Sequence, residues 1–129
     1  MPDLPRIEIS WGEVHDRLSI LELKAAKCKN ISDSRVISAE IEGLKQALAP
    51  IAQIDLGTLP DQLRRVNATL WDVEDALRAD EAAGNFDAGF VARARSVYKV
   101  NDQRAALKRA INVATGAALY EVKIYSTGA

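Results

Sequence analysis

Apolar residues fall three or four positions apart in successive stretches of this chain, and that spacing leaves room for little besides helices. The clearest run is Leu59, Leu63, Val66, Leu70, Val73 and Leu77. An α-helix turns by about 100° per residue, so these six side chains form one stripe along one face. A stripe of that kind needs a partner. A chain with several of them is expected to fold as an all-α assembly of packed helices.

The start and stop signals agree with the stripes. Ser10 and Glu13 have capping-box spacing, and behind them Trp11, Val14, Leu18, Leu21, Ala25 and Cys28 form the stripe of a first helix that frays near Asn30. Ile20 and Leu23 widen it. A second helix starts at Ser32 or Asp33, carries Ile37, Ile41, Leu44 and Leu48, and stops before Pro50. Residues 51–57 are expected to be a loop. Thr58 with Asp61 reads as the next cap, with Pro60 in the first turn of the third helix, where its missing N–H costs nothing. Ala83-Gly84-Asn85 ends that helix through a left-handed glycine. Asp87 caps a fourth helix that runs to Ile111 or beyond and closes at Thr115-Gly116. The expected architecture is an antiparallel bundle of four main helices, built as two hairpins. Two short segments alternate polar and apolar residues, Arg6-Ile7-Glu8-Ile9 and residues 120–125, and read as terminal strands that pair with each other.

The bulk properties narrow the setting. A chain of 129 residues suits a single domain, 1–129, with a core of its own. Its one cysteine, Cys28, excludes an internal disulfide framework and agrees with a reducing compartment. No apolar run approaches the ~20 residues of a membrane helix. Met1-Pro2-Asp3-Leu4-Pro5 lacks a basic stretch followed by an apolar one, so no signal peptide is expected and a cytoplasmic location follows. The net charge of −1 gives no field to attract nucleic acid or an anionic membrane. Charge is unevenly spread, however. The fourth helix carries Arg93, Arg95, Lys99, Arg104, Lys108 and Arg109, and residues 72–87 are acidic, so the two segments are expected to neutralise each other.

The periodicity breaks in one place. Phe90, Ala94, Val97 and Tyr98 share a side of the fourth helix, but that side continues as Asn101, Arg104, Ala105, Lys108 and Asn112. The apolar stripe meanwhile drifts to Val100, Leu107 and Ile111. On the third helix, Asn67, Trp71, Glu74, Arg78 and Glu81 line up about a quarter turn from the leucine stripe. In an antiparallel hairpin Trp71 would face Tyr98, and Asn67 would face Asn101 and Arg104.

Two readings of this patch follow. In one it is a structural network, with Glu74 pairing Arg78 and with Arg104 or Lys108 meeting Asp16 or Glu22 across the bundle, since buried charges must be paired. In the other it is an anion-binding pocket. Arg104 and Lys108 would hold a phosphate or carboxylate, Trp71 and Tyr98 would form a stacking wall, and Glu74 or Asp75 would orient hydroxyls. The candidate ligand-binding residues are thus Asn67, Trp71, Glu74, Arg78, Tyr98, Asn101, Arg104 and Lys108. His15, the only histidine, stands beside Asp16 and reads as an ordinary boundary residue, because no nucleophile accompanies it. One histidine and one cysteine cannot make the usual zinc site. Asp72 and Asp75, with Glu13 and Asp16, imitate the carboxylate pairs of magnesium-dependent pyrophosphatases, but such pairs are common on helix surfaces. No phosphate-cradling glycine loop or nucleophile elbow is present. No metal and no cofactor is expected.

Several segments taken together resemble a small bacterial family of all-helical proteins with no established activity. They are Gly12-Glu13 with Asp16-Arg17 and Ile20-Leu21-Glu22-Leu23-Lys24, and Asn67 followed by Leu70-Trp71, Glu74-Asp75, Arg78 and Glu81. A third set comprises Ala94-Arg95, Val97-Tyr98, Asn101-Asp102, Arg104-Ala105, Lys108-Arg109, Ile111-Asn112 and Gly116, and Glu121-Val122-Lys123 with Tyr125 completes it. The resemblance covers most of the chain outside the second helix and the loop after it, and it implies a setting among genes for bacterial surface sugars. His15 and Ile124 depart from it, standing where an aliphatic residue and a serine are expected. The first helix is also similar to helical chorismate mutases in amphipathic pattern alone, and no residue carries over. The leading expectation is a non-catalytic helical module that forms a homodimer and binds a partner protein or an anionic metabolite in surface-sugar assembly. The alternative is a small enzyme acting on a phosphate- or carboxylate-bearing substrate in a cleft between the third and fourth helices.

Overall fold

In the computed structural model, which describes residues 2–116, the chain forms four α-helices and one 3-10 turn. They are α1 (Trp11–Lys27), α2 (Ile31–Ala47), the 3-10 turn (Ala49–Ile51), α3 (Leu59–Ala83) and α4 (Ala88–Ala114). There is no strand among the described residues. The alternation at Arg6–Ile9 does not become one, because its apolar side is covered only in part: Ile7 is 76% exposed and Ile9 half-buried. The partner segment expected at residues 120–125 lies outside the described residues. No described helix is long and apolar enough to cross a membrane.

The caps show local chemistry setting the helix ends. The Ser10 side chain accepts from the Glu13 N–H at 3.1 Å, which is half of the expected capping box. The other half is missing because the Glu13 carboxylate turns to Arg17 and Lys108. Helix α2 begins at Ile31, slightly earlier than expected, because Asn30 accepts from the Asp33 N–H and serves as its cap. Thr58 does not cap α3. Its backbone lies at φ −90°, ψ 2°, outside the extended region an N-cap adopts, and its hydroxyl accepts from Gln62 Nε2 instead. Asp61 meanwhile pairs with Arg64. Gly84 ends α3 at φ 67°, a left-handed turn that suits glycine. Asp87 accepts from the Phe90 N–H and caps α4, which starts at the next residue, Ala88.

Helix α1 organises the rest. It packs on α2, α3 and α4, while α3 also packs along α4. Gly12 meets Asn112 and Asp16 meets Arg104, so α1 and α4 run in opposite directions. His15 shares a cleft with Pro60, Ser19 meets Asn67, and Lys27 lies over Trp71, so α1 and α3 run in the same direction. The core sits where these three helices converge, on Val14, Leu21, Leu63, Leu70, Val100 and Ile111. Leu63 and Ile111 are wholly enclosed. At the far end of the α3–α4 pair, Arg93 grips Asp80 through two nitrogens, one direct link between the basic and acidic segments. Helix α2 is the outlying member. Among the described residues it touches only α1 and the 3-10 turn, and none of its residues is buried.

Candidate functional site

The polar patch is centred on Asp16, a residue of α1 with no exposed surface. Val14 and Leu21 place α1 against the α3–α4 pair, and Asp16 lies on the same inner side two residues past Val14. Its carboxylate enters the gap between α3 and α4. Arg104 of α4 meets it with a two-nitrogen fork: Nε donates to Oδ1 at 2.8 Å and Nη2 donates to Oδ2 at 2.5 Å. This is the planar geometry that an arginine offers and a lysine cannot. Asn67 of α3 donates to the same Oδ1 at 2.9 Å and to the Ser19 hydroxyl at 2.6 Å. Ser19 in turn donates to the Asp16 carbonyl at 2.9 Å. One carboxylate therefore joins three helices.

A second layer lies one turn toward the start of α1. Lys108 Nζ stands 2.8 Å from Glu13 Oε2 and 4.0 Å from Asp16 Oδ2. Two carboxylates thus meet two cations. Beyond them, the Gly12 N–H donates to Asn112 Oδ1 at 2.7 Å. A Cβ on Gly12 would overlap the Lys108 carbonyl oxygen, so only glycine lets α1 come this close to α4. Among the described residues no buried polar side-chain atom lacks a hydrogen-bond partner.

These contacts set the protonation states. Burial alone would raise the Asp16 carboxyl. The hydrogen bonds from Arg104 and Asn67, with the charges of Arg104 and Lys108, outweigh it and hold Asp16 below the usual carboxylate range. Glu13 is shifted the same way: burial opposes ionisation, and Lys108 and Arg17 overcome both burial and the neighbouring charge of Asp16. His15 is pushed down by burial, which keeps the imidazole neutral. It points away from the cluster into an open cleft of about 640 Å³ beside Lys45, Leu48 and Asp55.

The structure brings together only part of what the spacing suggested. Asn67, Arg104 and Lys108 share the Asp16 cluster. Asn101 is half-buried, and no hydrogen bond of the cluster includes it. Trp71 does not meet Tyr98. It turns toward the end of α1, where Lys27 Nζ stands 5.5 Å from the ring, and helps line a groove with Cys28, Val36 and Ile37. Tyr98 stays 56% exposed on α4. The reason is α1: it packs on both α3 and α4 and sets the rotation of the pair, so the Trp71 and Tyr98 faces do not meet although α3 and α4 pack along each other. Glu74 does not pair with Arg78. Glu74 is half-buried, while Arg78 is exposed and reaches Asp75 at 3.7 Å. Glu22 pairs with Arg64 and not with α4. The carboxylate pairs Glu13/Asp16 and Asp72/Asp75 do not converge, and no metal-sized group of such side chains forms among the described residues.

Sequence reasoning missed the Gly12–Asn112 contact and the place of Ser19. The only signals were a glycine in the first turn of a strongly amphipathic helix and an asparagine ending the polar side of α4. Neither a curated protein nor a solved structure matches this chain. A family model does match, over residues 5–129, and the chain belongs to the family of unknown function DUF6165.

Proposed function

We propose that the chain is a non-catalytic helical module, formed from two antiparallel hairpins, that self-associates as a homodimer. It would present its outer surface to a partner protein, or hold an anionic metabolite away from the Asp16 cluster. One observation carries this reading. The two cations best placed for an anion pocket, Arg104 and Lys108, are engaged by Asp16 and Glu13 of the same chain. A site built for an external anion keeps its cations open to the ligand. Here an internal carboxylate takes the place a ligand would occupy, and its removal would leave like charges side by side. The setting in bacterial surface-sugar assembly rests on the family resemblance alone.

The test is a thermal-shift series on the wild type and Arg104→Ala, screened with sugar nucleotides, organic phosphates and divalent metal ions. The module reading expects Arg104→Ala to melt at lower temperature, since it leaves a buried carboxylate without its fork at a cost of about 3 kcal/mol. It also expects no anion to stabilise the wild type through Arg104. An anion that stabilises the wild type but not the variant would overturn it and favour an enzyme acting in the α3–α4 cleft.

A further inference from the structure

We infer that the outer face of α2 is the surface on which two copies of this chain pair, antiparallel, about a two-fold axis at Ala39; this rests on the homodimer reading and gives it a place. Helix α2 has 17 residues and none is buried. Its own apolar stripe, Ile37, Ile41, Leu44 and Leu48, is half-covered by α1. Across the helix from that stripe lies Ala39, exposed. At about 100° per residue, Arg35 and Glu42 flank Ala39 on one side, and Val36 and Gly43 flank it on the other. All four are exposed, Val36 by 59%.

The arrangement matches itself. A two-fold axis that crosses α2 at Ala39, within the plane of contact, keeps each flank on its own side and exchanges the two ends. Arg35 of one copy then stands opposite Glu42 of the second copy, and the reverse pair follows by symmetry. On the other flank, Val36 stands opposite Gly43, where an added Cβ would meet nothing within 4 Å. The protruding valine meets open space, the cation meets the carboxylate, and alanine at the axis lets the helices approach. Among the described residues neither Arg35 nor Glu42 makes an ion pair within its own chain. A parallel pairing would exchange the flanks and set Arg35 against Val36 and Glu42 against Gly43, so only the antiparallel one gives both charges an opposite partner.

Sedimentation equilibrium on the full chain tests this, with far-UV circular dichroism to verify that each variant is folded. The wild type is expected to be a dimer. Arg35→Glu opposes two carboxylates twice and is expected to weaken it by about tenfold or more. Ala39→Arg places a long cation on the axis and is expected to weaken it by about 100-fold. The reciprocal variant R35E/E42R restores the charge pattern and is expected to return to within about threefold of the wild type. A wild type that stays monomeric up to about 0.5 mM would overturn both this interface and the homodimer reading. A dimer indifferent to Arg35→Glu and Ala39→Arg would overturn the interface and leave self-association standing. Dissociation by Arg35→Glu without rescue by R35E/E42R would overturn the reciprocal pairing.

Discussion

Asp16→Asn is the sharpest perturbation of the cluster, because it removes one charge and almost no volume. Asp16 is fully enclosed, accepts from Arg104 and Asn67, and lies 4.0 Å from Lys108. In the variant, the amide can accept from Arg104 at one atom only, and its NH2 group points a donor at another donor. Breaking one partner of a buried pair costs about 3–5 kcal/mol. The lower end applies here, since the Arg104 side chain keeps 27% exposure and can recover some hydration, and Lys108 keeps Glu13. For 129 residues, 3 kcal/mol corresponds to a fall in melting temperature of about 11 °C. Urea unfolding of both proteins at neutral pH measures the difference directly. The pH dependence adds a second check. The folded-state Asp16 carboxyl is depressed, so its contribution is fully present above the unfolded value of about 3.9 and is lost as pH falls through the folded value. The gap between wild type and variant should therefore close in strong acid and reopen toward neutrality. A loss under about 1 kcal/mol at neutral pH, or a gap insensitive to acid, would refute the claim that Asp16 ties the three helices together.

Three further expectations follow from the same contacts. Gly12→Ala should destabilise by about 1–3 kcal/mol in thermal melts despite alanine's better helix propensity, because the new methyl overlaps a backbone oxygen of α4 that cannot rotate away. Asn112→Ala strands the buried Gly12 N–H and should cost about 1–3 kcal/mol by urea unfolding, with little effect on the rest of α4. His15→Leu should flatten the stability profile between neutral and mildly acidic pH. The wild type is fully stabilised above the unfolded value of about 6.5 and loses that contribution as pH falls through the depressed folded value, so the variant gains on it at pH 5. Parallel profiles for the two proteins would contradict the burial of His15.

Much of the fold was legible because the signals are local. The Leu63 and Leu70 stripe, the Asp87 cap and the Gly84 turn each depend on residues within a turn or two of one another. The link from α4 to Asp16 was legible for a different reason: cations on a side that starts out apolar need a carboxylate, and α1 offers few. What could not be read was rotation. Whether Trp71 meets Tyr98 depends on how α3 and α4 turn about their own axes, and a third helix, remote in sequence, decides that. Arg6–Ile9 misled because alternation over four residues says nothing about whether an opposing surface exists. Gly12 was silent because its role lies in the atom it lacks.

The peripheral position of α2 has a dynamic consequence. Since, among the described residues, it rests on α1 and the 3-10 turn alone, it can lift away without breaking a contact between α1, α3 and α4. Amide protons along α2 should then exchange with solvent through a cheap local opening, while those around Asp16 wait for global unfolding. The molecule thus has two tiers of cooperativity, a tightly knit trio and a loosely hinged fourth element, and only the second is free to change its neighbours at low cost.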